Sequence, residues 1–179
     1  MTKQRAMKRY LIPILIAILV LTPVLLESCS QKTETPDSQI YTGKVLEFAR
    51  AIRLVEKDRN TLMTEHENFS EHLMDMPTAT VFQETDDFVN RSGKLRERIV
   101  SIKAPEVESA FVTHANFMVA YAVEYKAYSE WRTAVQSADQ NKLDDTEELF
   151  HQAEHLFHEA YAEMNKMLKE FGLKWQDTE

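Results

Sequence analysis

Between positions 41 and 76, apolar residues recur at alternating spacings of four and three, and no other feature restricts the fold of this sequence as strongly. The spacing places these residues on one side of a single long α-helix. We expect the helix to begin near Gln39 and to end before Pro77, because a proline ring cannot continue the helical hydrogen-bond ladder. The positions that follow the spacing are Tyr41, Val45, Phe48, Ile52, Val55, Arg59, Leu62, His66, Phe69, Leu73 and Met76.

Two further segments with the same spacing predict a second and a third helix. The second helix is expected to begin near Thr80, which forms a capping-box pattern with Gln83, and its apolar face is the weakest of the set. The third helix is expected to run from about Pro105 to Gln136, since proline is well placed in a first turn. The breaks between the helices are short, which favours antiparallel packing of neighbours.

A fourth helix is predicted after a turn at residues 137–141. Gly172 is placed to close this helix, because glycine adopts the left-handed conformation that often follows a helix end. The whole chain has only three glycines, which is too few for a sheet built from tight hairpins. The sequence therefore predicts an all-α protein, an antiparallel up-down four-helix bundle over residues 39–173, followed by a tail at 174–179.

The first thirty residues have the layout of a secretory signal. An apolar run from Tyr10 to Leu26 leads to Cys29, which is the only cysteine of the chain. Because such a segment directs export, it is excluded from the predicted bundle. The apolar run is preceded by a cluster of basic residues, namely Lys3, Arg5, Lys8 and Arg9.

The residues Leu26, Ser28 and Cys29 resemble the lipobox of bacterial lipoproteins. The resemblance implies cleavage just before Cys29, so that residues 1–28 are a signal peptide. It also implies that Cys29 carries a diacylglyceryl group, whose fatty acids, such as palmitate, anchor the protein in the membrane. Residues 29–38 would then form a flexible tether between the lipid and the bundle.

An uncleaved membrane helix is the alternative for the apolar run. A spanning helix needs about 20 apolar residues, whereas the run from Tyr10 to Leu26 has seventeen and contains two prolines. In either case the basic start leaves the rest of the chain outside the cytoplasm. Ser30 stands where an aspartate would resemble an inner-membrane retention signal. We therefore expect the outer membrane in a two-membrane cell and the outer face of the plasma membrane in a one-membrane cell.

The charge of the chain restricts its partners. Residues 1–28 hold four of the 21 basic and one of the 29 acidic side chains, so the remainder has a net charge of about −11. The carboxylates fall mainly on polar faces, and we expect a solvated acidic surface that repels nucleic acid and anionic lipid headgroups. With Cys29 lipidated, no thiol remains for a disulfide or a cysteine nucleophile. The sequence also contains no phosphate-binding glycine loop and no nucleophile elbow, so we expect no enzymatic activity.

Two histidines, His66 and His114, occupy apolar positions of the first and third helices, and each needs a partner in the core. Counting along the hairpins places His114 about one turn from the level of His66, with Met118 and Met164 at nearby levels. A histidine that faces methionines inside a helical bundle resembles the ligand set of four-helix b-type cytochromes and of soft copper sites. No cofactor is expected, because buried histidines that are hydrogen-bonded in the core are the default. A haem or copper site at these four residues is the alternative.

Three more histidines, His151, His155 and His158, lie within about 60° of one another on the fourth helix and face away from its apolar stripe. They are therefore expected to face water. Imidazoles one turn apart bind zinc or copper. We interpret the three residues as a polar face that uses histidine, and the alternative is a low-affinity metal-binding or pH-responsive patch.

An aromatic series runs along the third helix at spacings of four and three. It is ordinary core if the second helix covers it. If the coverage is incomplete, it forms an aromatic groove for a partner or an apolar ligand. The members of the series are Tyr121, Tyr125, Tyr128 and Trp131.

These features together predict a membrane-tethered, non-enzymatic binding or accessory protein outside the cytoplasm, with an envelope protein as a candidate partner. The stretch from Ile102 to His114 is also similar to small secreted helical-bundle lipoproteins, a resemblance that brings no catalytic residues with it. Two alternatives stay open. One is a His/Met-ligated haem or copper protein of the cell envelope, and the other is a structural envelope protein that oligomerises through exposed residues of the helix faces.

Overall fold

The structure, a computed structural model, describes residues 36–179. The expected signal peptide, the lipidation site Cys29 and the tether up to residue 35 lie outside the described residues. The described part is helical and contains no strand, so the predicted all-α fold class is confirmed. Its helices are α1 at Pro36–His72, α2 at Thr78–Ser101, α3 at Glu108–Ser137 and α4 at Gln140–Glu170, with single 3₁₀ turns at Leu73–Asp75 and Trp175–Thr178.

Helix α1 begins at Pro36, inside the segment that was expected to be a tether, and ends in a short 3₁₀ turn before Pro77. Pro77 occupies the N-cap position of α2 in an extended conformation, with φ −61° and ψ 139°. Because the fixed φ of proline is compatible with this position, α2 starts directly afterwards at Thr78. The predicted capping box of Thr80 and Gln83 therefore lies inside the helix rather than at its start.

Helix α3 begins three residues later than predicted. Residues 105–107 form a turn in which the N–H of Val107 donates to the carbonyl oxygen of Pro105 over 2.7 Å. The helix then starts at Glu108, and the carbonyl oxygen of Val107 accepts its first i→i−4 hydrogen bond, from the N–H of Phe111 over 3.2 Å. Pro105 is thus part of the connection between α2 and α3, and it does not occupy the first turn of the helix.

Both ends of α4 have local stabilisation. At its start the carboxylate of Asp139 accepts a hydrogen bond from the backbone N–H of Lys142 over 3.3 Å, which caps one of the free N–H groups of the first turn. At its end Gly172 has a φ of 69°. This is the left-handed conformation that was predicted for the residue after the helix.

Residues Ile40–Glu179 form one compact unit, in which successive helices run antiparallel. Asp58 pairs with Arg98 and Glu65 pairs with Arg91, so residue numbers rise along α1 as they fall along α2. The contacts between α3 and α4, and those between α4 and α1, show the same relation, in which residue numbers rise along one helix as they fall along the other. Helices α1 and α3 therefore run parallel across the diagonal of the predicted up-down bundle.

The segment predicted as a tail at 174–179 packs on α1. Arg53 donates to the carbonyl oxygen of Trp175 over 3.0 Å and to the hydroxyl of Thr178 over 2.8 Å, and Trp175 also makes an edge contact with Tyr161. Within residues 36–179, none of the helices combines the length and the apolar character that a membrane span requires. The largest fully buried side chains of the core are Tyr121, Tyr128, Phe117, Ile52, Leu62, Ile99, Met164, Met167 and Leu168.

Candidate ligand-binding site

An arginine and two glutamates lie in the interior of the bundle. Arg59 on α1, Glu56 one turn before it and Glu124 on α3 are 6, 3 and 3% exposed. Arg59 donates from Nε to Oε1 of Glu124 over 2.7 Å, and its Nη1 lies 3.9 Å from Oε2 of Glu56. Two carboxylates therefore share one guanidinium. We call these three residues the buried charge cluster.

Hydroxyl groups and an aromatic ring surround the buried charge cluster. Tyr121 on α3 and Tyr161 on α4 both donate to the carboxylate of Glu56. The guanidinium of Arg59 lies over the ring of Phe157, with Cζ 3.5 Å from the ring centroid, which is a cation–π contact. Burial raises the pKa of both tyrosines, and the charge of Glu56 adds to the effect. The hydroxyls therefore keep their protons and continue to donate.

Glu124 has one carboxylate oxygen that is engaged and one that is not. Arg59 binds Oε1, whereas Oε2 is buried without a hydrogen-bond partner among residues 36–179. Burial raises the pKa of Glu124 to about 7, against the lowering effect of Arg59. A buried polar group without a partner costs roughly 1–3 kcal/mol. A ligand that donates to Oε2 would recover that free energy.

His66 lies about two turns beyond Arg59 on α1 and is surrounded by aromatic rings. Its ring centroid is 4.4 Å from that of Trp131 and 5.2 Å from those of Tyr128 and Phe150. Burial lowers the pKa of His66 to about 4, so the imidazole is neutral at pH 7. Its Nε2 is buried, and no residue of the described chain hydrogen-bonds to it.

Glu124 and His66 both line a pocket of about 480 Å³ that lies between α1, α3 and α4. The volume is within the range of small-molecule sites in proteins. Tyr128, Trp131 and Phe150 form its apolar walls, and we call it the aromatic pocket. Two members of the predicted aromatic series, Tyr128 and Trp131, therefore face a cavity.

Carboxylates surround the mouth of the aromatic pocket. Glu67 of α1 and Glu147 and Glu154 of α4 line the pocket and are exposed to solvent. Together with Glu124 they outnumber Arg59, which is the single lysine or arginine that the described residues contribute to the lining. The resulting negative field raises the local concentration of cations.

A larger cavity, of about 1040 Å³, runs along α1 beside the C-terminal 3₁₀ turn. Its arginines are already engaged, because Arg50 donates to the carbonyl oxygen of Asp177 over 3.1 Å and Arg53 bonds to Trp175 and Thr178. Of the buried side-chain atoms in residues 36–179 that lack a partner, none belongs to a residue of this cavity. The aromatic pocket is therefore the better candidate for a binding site.

The structure does not bring His66 and His114, two of the predicted haem or copper ligands, together. The hydrogen bonds across the diagonal join residues 65 positions apart, so His66 lies level with Trp131, which it contacts. His114 precedes Trp131 by 17 residues on α3, which is roughly 25 Å along the helix axis. The predicted level of His114 is wrong because His66 lies near the end of α1 and His114 near the start of the parallel helix α3.

His114 is partly buried against α2. Its Nε2 lies 2.8 Å from the carbonyl oxygen of Ile99, and its ring makes an edge contact with Phe48 at 5.9 Å between centroids. Met164 is fully buried and Met118 is partly buried in the core. Because Nε2 is already engaged, His114 has the geometry of a histidine that is hydrogen-bonded within the core.

The three histidines of α4, His151, His155 and His158, are exposed, with 66, 75 and 77% of their side chains accessible. Each imidazole lies between 3.5 and 3.9 Å from a glutamate one turn away on the same helix. Within residues 36–179, no group of three or more His, Cys, Asp or Glu side chains is arranged to hold a metal ion. In this arrangement each histidine faces a carboxylate.

The expectation that the carboxylates form a solvated surface fails for Glu56 and Glu124. Glu124 falls between Tyr121 and Tyr128 of the aromatic series, and Glu56 lies one turn from Arg59, a charged residue at an apolar position. A sequence signal for such a cluster exists. One helix has a charged residue within its apolar face, and a second helix has a residue of opposite charge within its own apolar face. Neither glutamate was predicted as a functional residue.

The fold and the site define a four-helix bundle with a pocket that contains unpaired polar atoms. No protein-family model matches the chain, and neither a curated protein nor a solved structure matches it. The features of the chain that bear on its function are therefore the geometry of the aromatic pocket and the N-terminal sequence.

Proposed function

We propose that this chain is a non-enzymatic binding protein, tethered by lipid outside the cytoplasm, that holds a small molecule in the aromatic pocket. The observation that carries the proposal is a pair of buried polar atoms, Oε2 of Glu124 and Nε2 of His66. Neither has a partner in the described chain, and both residues line the same pocket. Native cores contain few such atoms, and one ligand with two polar groups would satisfy both.

The walls of the pocket support the same proposal. Tyr128, Trp131 and Phe150 provide apolar contact area around the two polar atoms, which is the composition typical of small-molecule sites. The buried charge cluster joins α1 to α3, and Tyr161 joins α4 to the same cluster. Since these bonds hold all three helices that line the pocket, the pocket is formed before a ligand arrives.

The proposed location rests on the N-terminal sequence. Residues 1–28 resemble a lipoprotein signal peptide, and Cys29 is the residue to which lipid would be attached. The remainder of the chain is strongly acidic, so electrostatic repulsion keeps the bundle away from anionic headgroups. In this proposal the lipid holds the protein at the membrane and the bundle binds its ligand in the aqueous phase, alone or together with an envelope protein.

Tryptophan fluorescence tests binding in the pocket, because the chain has only two tryptophans and Trp131 lines the pocket. In the full-length Trp175→Phe variant, extracted in a non-ionic detergent, Trp131 is the sole tryptophan, and it is excited at a wavelength that tyrosine does not absorb. Three probes of similar size are titrated: 2-phenylethylammonium, 2-phenylethanol and 3-phenylpropionate. The Trp131→Phe variant is the control, since Trp175 lies outside the pocket and its emission is expected to stay constant.

We expect at least one probe to change the emission of Trp131 in a saturable manner. If all three probes leave the emission unchanged, or if the Trp131→Phe variant responds equally, the aromatic pocket is not a binding site for small aromatic molecules and the proposal fails. How the affinity varies with the charge of the probe does not decide whether the pocket binds a ligand.

Metabolic labelling tests the proposed anchor. Cells that express the full-length chain are grown with labelled palmitate, and we expect label in the protein and its recovery in the membrane fraction. In the Cys29→Ser variant the label is expected to disappear and the precursor to remain unprocessed. If wild-type protein takes up no label and the variant matches it in size and location, the lipoprotein proposal fails.

A structural protein that oligomerises is the second candidate, and one observation favours it. Phe111, Val112 and Val119 of α3 are 53, 41 and 51% exposed, although they are apolar. Light scattering of the detergent-extracted full chain at two concentrations tests this candidate. A mass that rises with concentration and that falls in a Phe111→Ser variant would favour the structural role, whereas a constant monomer mass would favour the binding role.

A further inference from the structure

We infer that the aromatic pocket is specific for a small organic cation, namely a primary or secondary ammonium group attached to an aromatic or branched apolar body. The inference rests on the proposed function and adds the chemical class of the ligand. It follows from a carboxylate oxygen that has no hydrogen-bond partner within residues 36–179, from the aromatic rings that line the same pocket and from the acidic mouth.

The unpartnered oxygen of Glu124 defines the polar group of the ligand. Glu124 is 3% exposed, Oε1 accepts from Arg59, and Oε2 has no hydrogen-bond partner in the part of the chain that is described. A carboxylate oxygen accepts hydrogen bonds and repels anions. An ammonium N–H satisfies this oxygen with a charge-assisted hydrogen bond, which is about twice as strong as a neutral one.

The surrounding rings suit a cation with an apolar body. Tyr128 and Trp131 on α3 and Phe150 on α4 line the pocket beside Glu124. The faces of such rings attract cations, with tryptophan the most effective, and they also pack against an apolar body. The neutral imidazole of His66, whose Nε2 is unpartnered in residues 36–179, provides a second polar contact.

Arg59, the single lysine or arginine that residues 36–179 place in the lining, opposes a cation. Its charge is already balanced within the buried charge cluster, since Nε donates to Glu124 and Nη1 lies 3.9 Å from Glu56. Its guanidinium also lies over the ring of Phe157, 3.5 Å from the centroid. The lining beyond the cluster then contributes the exposed carboxylates of Glu67, Glu147 and Glu154, and the net field in the pocket favours a positive ligand.

The three fluorescence probes share a phenyl ring and a two-carbon chain, and they differ mainly in charge. With Trp131 as the sole tryptophan and at pH 8, we expect 2-phenylethylammonium to bind at least about tenfold more tightly than 2-phenylethanol. We expect 3-phenylpropionate to bind more weakly than either. Raising the salt concentration is expected to weaken the binding of the ammonium probe alone, because screening acts on the exposed carboxylates.

Two sets of variants separate the contributions of the pocket. Glu124→Gln is expected to weaken 2-phenylethylammonium about tenfold and to change the affinity for 2-phenylethanol by less than about twofold. Glu130→Gln, on the exposed side of the same helix, is the matched control and is expected to match the parent. The double variant Glu147→Gln, Glu154→Gln tests the mouth without altering the interior, and a loss of about twofold to fivefold for the ammonium probe alone is expected.

The outcomes distinguish the inference from the proposed function. If 2-phenylethanol or 3-phenylpropionate binds as tightly as the ammonium probe, the pocket binds ligands but the cation class is wrong. The cation class is also wrong if Glu124→Gln folds and binds the ammonium probe with unchanged affinity. If Glu124→Gln does not fold, unchanged affinity in the double variant Glu147→Gln, Glu154→Gln leads to the same conclusion. If none of the three probes binds, the proposed function itself is wrong.

Discussion

Arg59 donates from Nε to Oε1 of Glu124 over 2.7 Å across the diagonal of the bundle. The two residues belong to α1 and α3, which are not consecutive in the chain, and both are almost fully buried. A charge pair in this position is costly to desolvate, so the intact pair adds little to stability. Removal of one partner is strongly destabilising, because it leaves the other charge buried without compensation. It also forms one end of the aromatic pocket.

The first prediction concerns the stability of the buried charge cluster. In an Arg59→Met variant, Glu56 and Glu124 remain in the core without their shared cation. We expect the free energy of unfolding to fall by about 3–5 kcal/mol, measured by urea denaturation of the full chain and followed by far-ultraviolet circular dichroism.

An exposed arginine of the same bundle provides the control. Arg98→Met removes a pair with Asp58 in which both side chains are about half exposed, and it is expected to cost less than about 1 kcal/mol. The double variant Arg59→Met, Glu124→Gln is expected to recover part of the loss. Equal losses in the Arg59 and Arg98 variants would contradict the assignment of a buried cluster.

The second prediction concerns the pH dependence of stability through His66. Burial lowers its pKa from 6.5 to about 4, so between these values the unfolded chain binds a proton that the folded chain does not. The resulting contribution to stability is present above pH 6.5 and is lost as the pH falls towards 4, with a magnitude of up to about 3 kcal/mol. A His66→Phe variant is expected to lose this slope.

Unfolding free energies at several pH values between 4.5 and 7 measure the difference between wild type and His66→Phe. Glu124 contributes a slope of opposite sign, because its pKa is raised, but it contributes equally to both proteins. The exposed His155, changed to Gln, is the control and is expected to leave the slope as it is. A His66→Phe profile that runs parallel to that of wild type would show that His66 is not buried in solution.

The third prediction links binding of 2-phenylethylammonium to pH. Since the pKa of Glu124 is raised to about 7 by burial, the carboxylate is largely protonated at pH 6 and largely ionised at pH 8. If the ionised form binds the cation, the affinity is expected to rise up to about tenfold over this interval. The Glu124→Gln variant is expected to show a flat profile in the same fluorescence titration.

The Glu124→Gln variant separates the effect of Glu124 from that of the other groups around it. Burial raises the pKa values of Tyr121, Tyr128 and Tyr161, and the neighbouring glutamates raise that of Arg59 against the effect of burial. The remaining charged or titratable groups that line the pocket are His66, whose pKa burial lowers to about 4, and Glu67 on α1, and Glu147, His151 and Glu154 on α4. Glu56 lies outside the lining but acts on Glu124 through its charge. All of these are retained in Glu124→Gln, so a profile that persists in that variant would assign the pH dependence to them and not to Glu124.

The fourth prediction concerns the exposed histidines of α4. His151 and His155 lie one turn apart, and each also faces a glutamate one turn away. If the alternative interpretation of these residues as a metal-binding patch is correct, we expect weak, saturable binding of zinc to the full chain, measured by calorimetry, and at least about a threefold loss of affinity in His155→Ala. The control is His72→Ala, at the end of α1. Binding that does not saturate, or that is equal in all three proteins, would leave the histidines as a polar face.

The helices could be predicted from the sequence because their apolar spacing and their breaks are local signals. Pro77 and Gly172 each follow a helix end as predicted, since a proline ring cannot continue a helix and glycine readily adopts the left-handed conformation. The predicted starts of α2 and α3 were less accurate than these helix ends. Pro77 and Pro105 each form part of a turn whose geometry depends on both flanking helices.

The site was only partly predictable because it depends on the relative height of the helices. Tyr128 and Trp131 were recognised as aromatic residues that could line a groove, since they share one helix face. Glu124 and His66 come together from different helices, and counting residues did not give the offset between α1 and α3 correctly. The hydrogen bond between Arg59 and Glu124 gives this offset, because it joins residues that are 65 positions apart.

A buried polar or charged pair specifies the alignment of the helices in a bundle more strictly than apolar contacts alone. Here a slide of α3 by one turn, about 5.4 Å, would carry Glu124 away from the guanidinium of Arg59 and leave opposite charges stranded in a dry interior. The hydrogen bond between Arg59 and Glu124 thus favours one alignment of α1 and α3 over the others. The same alignment sets the relative positions of the three helices that line the pocket.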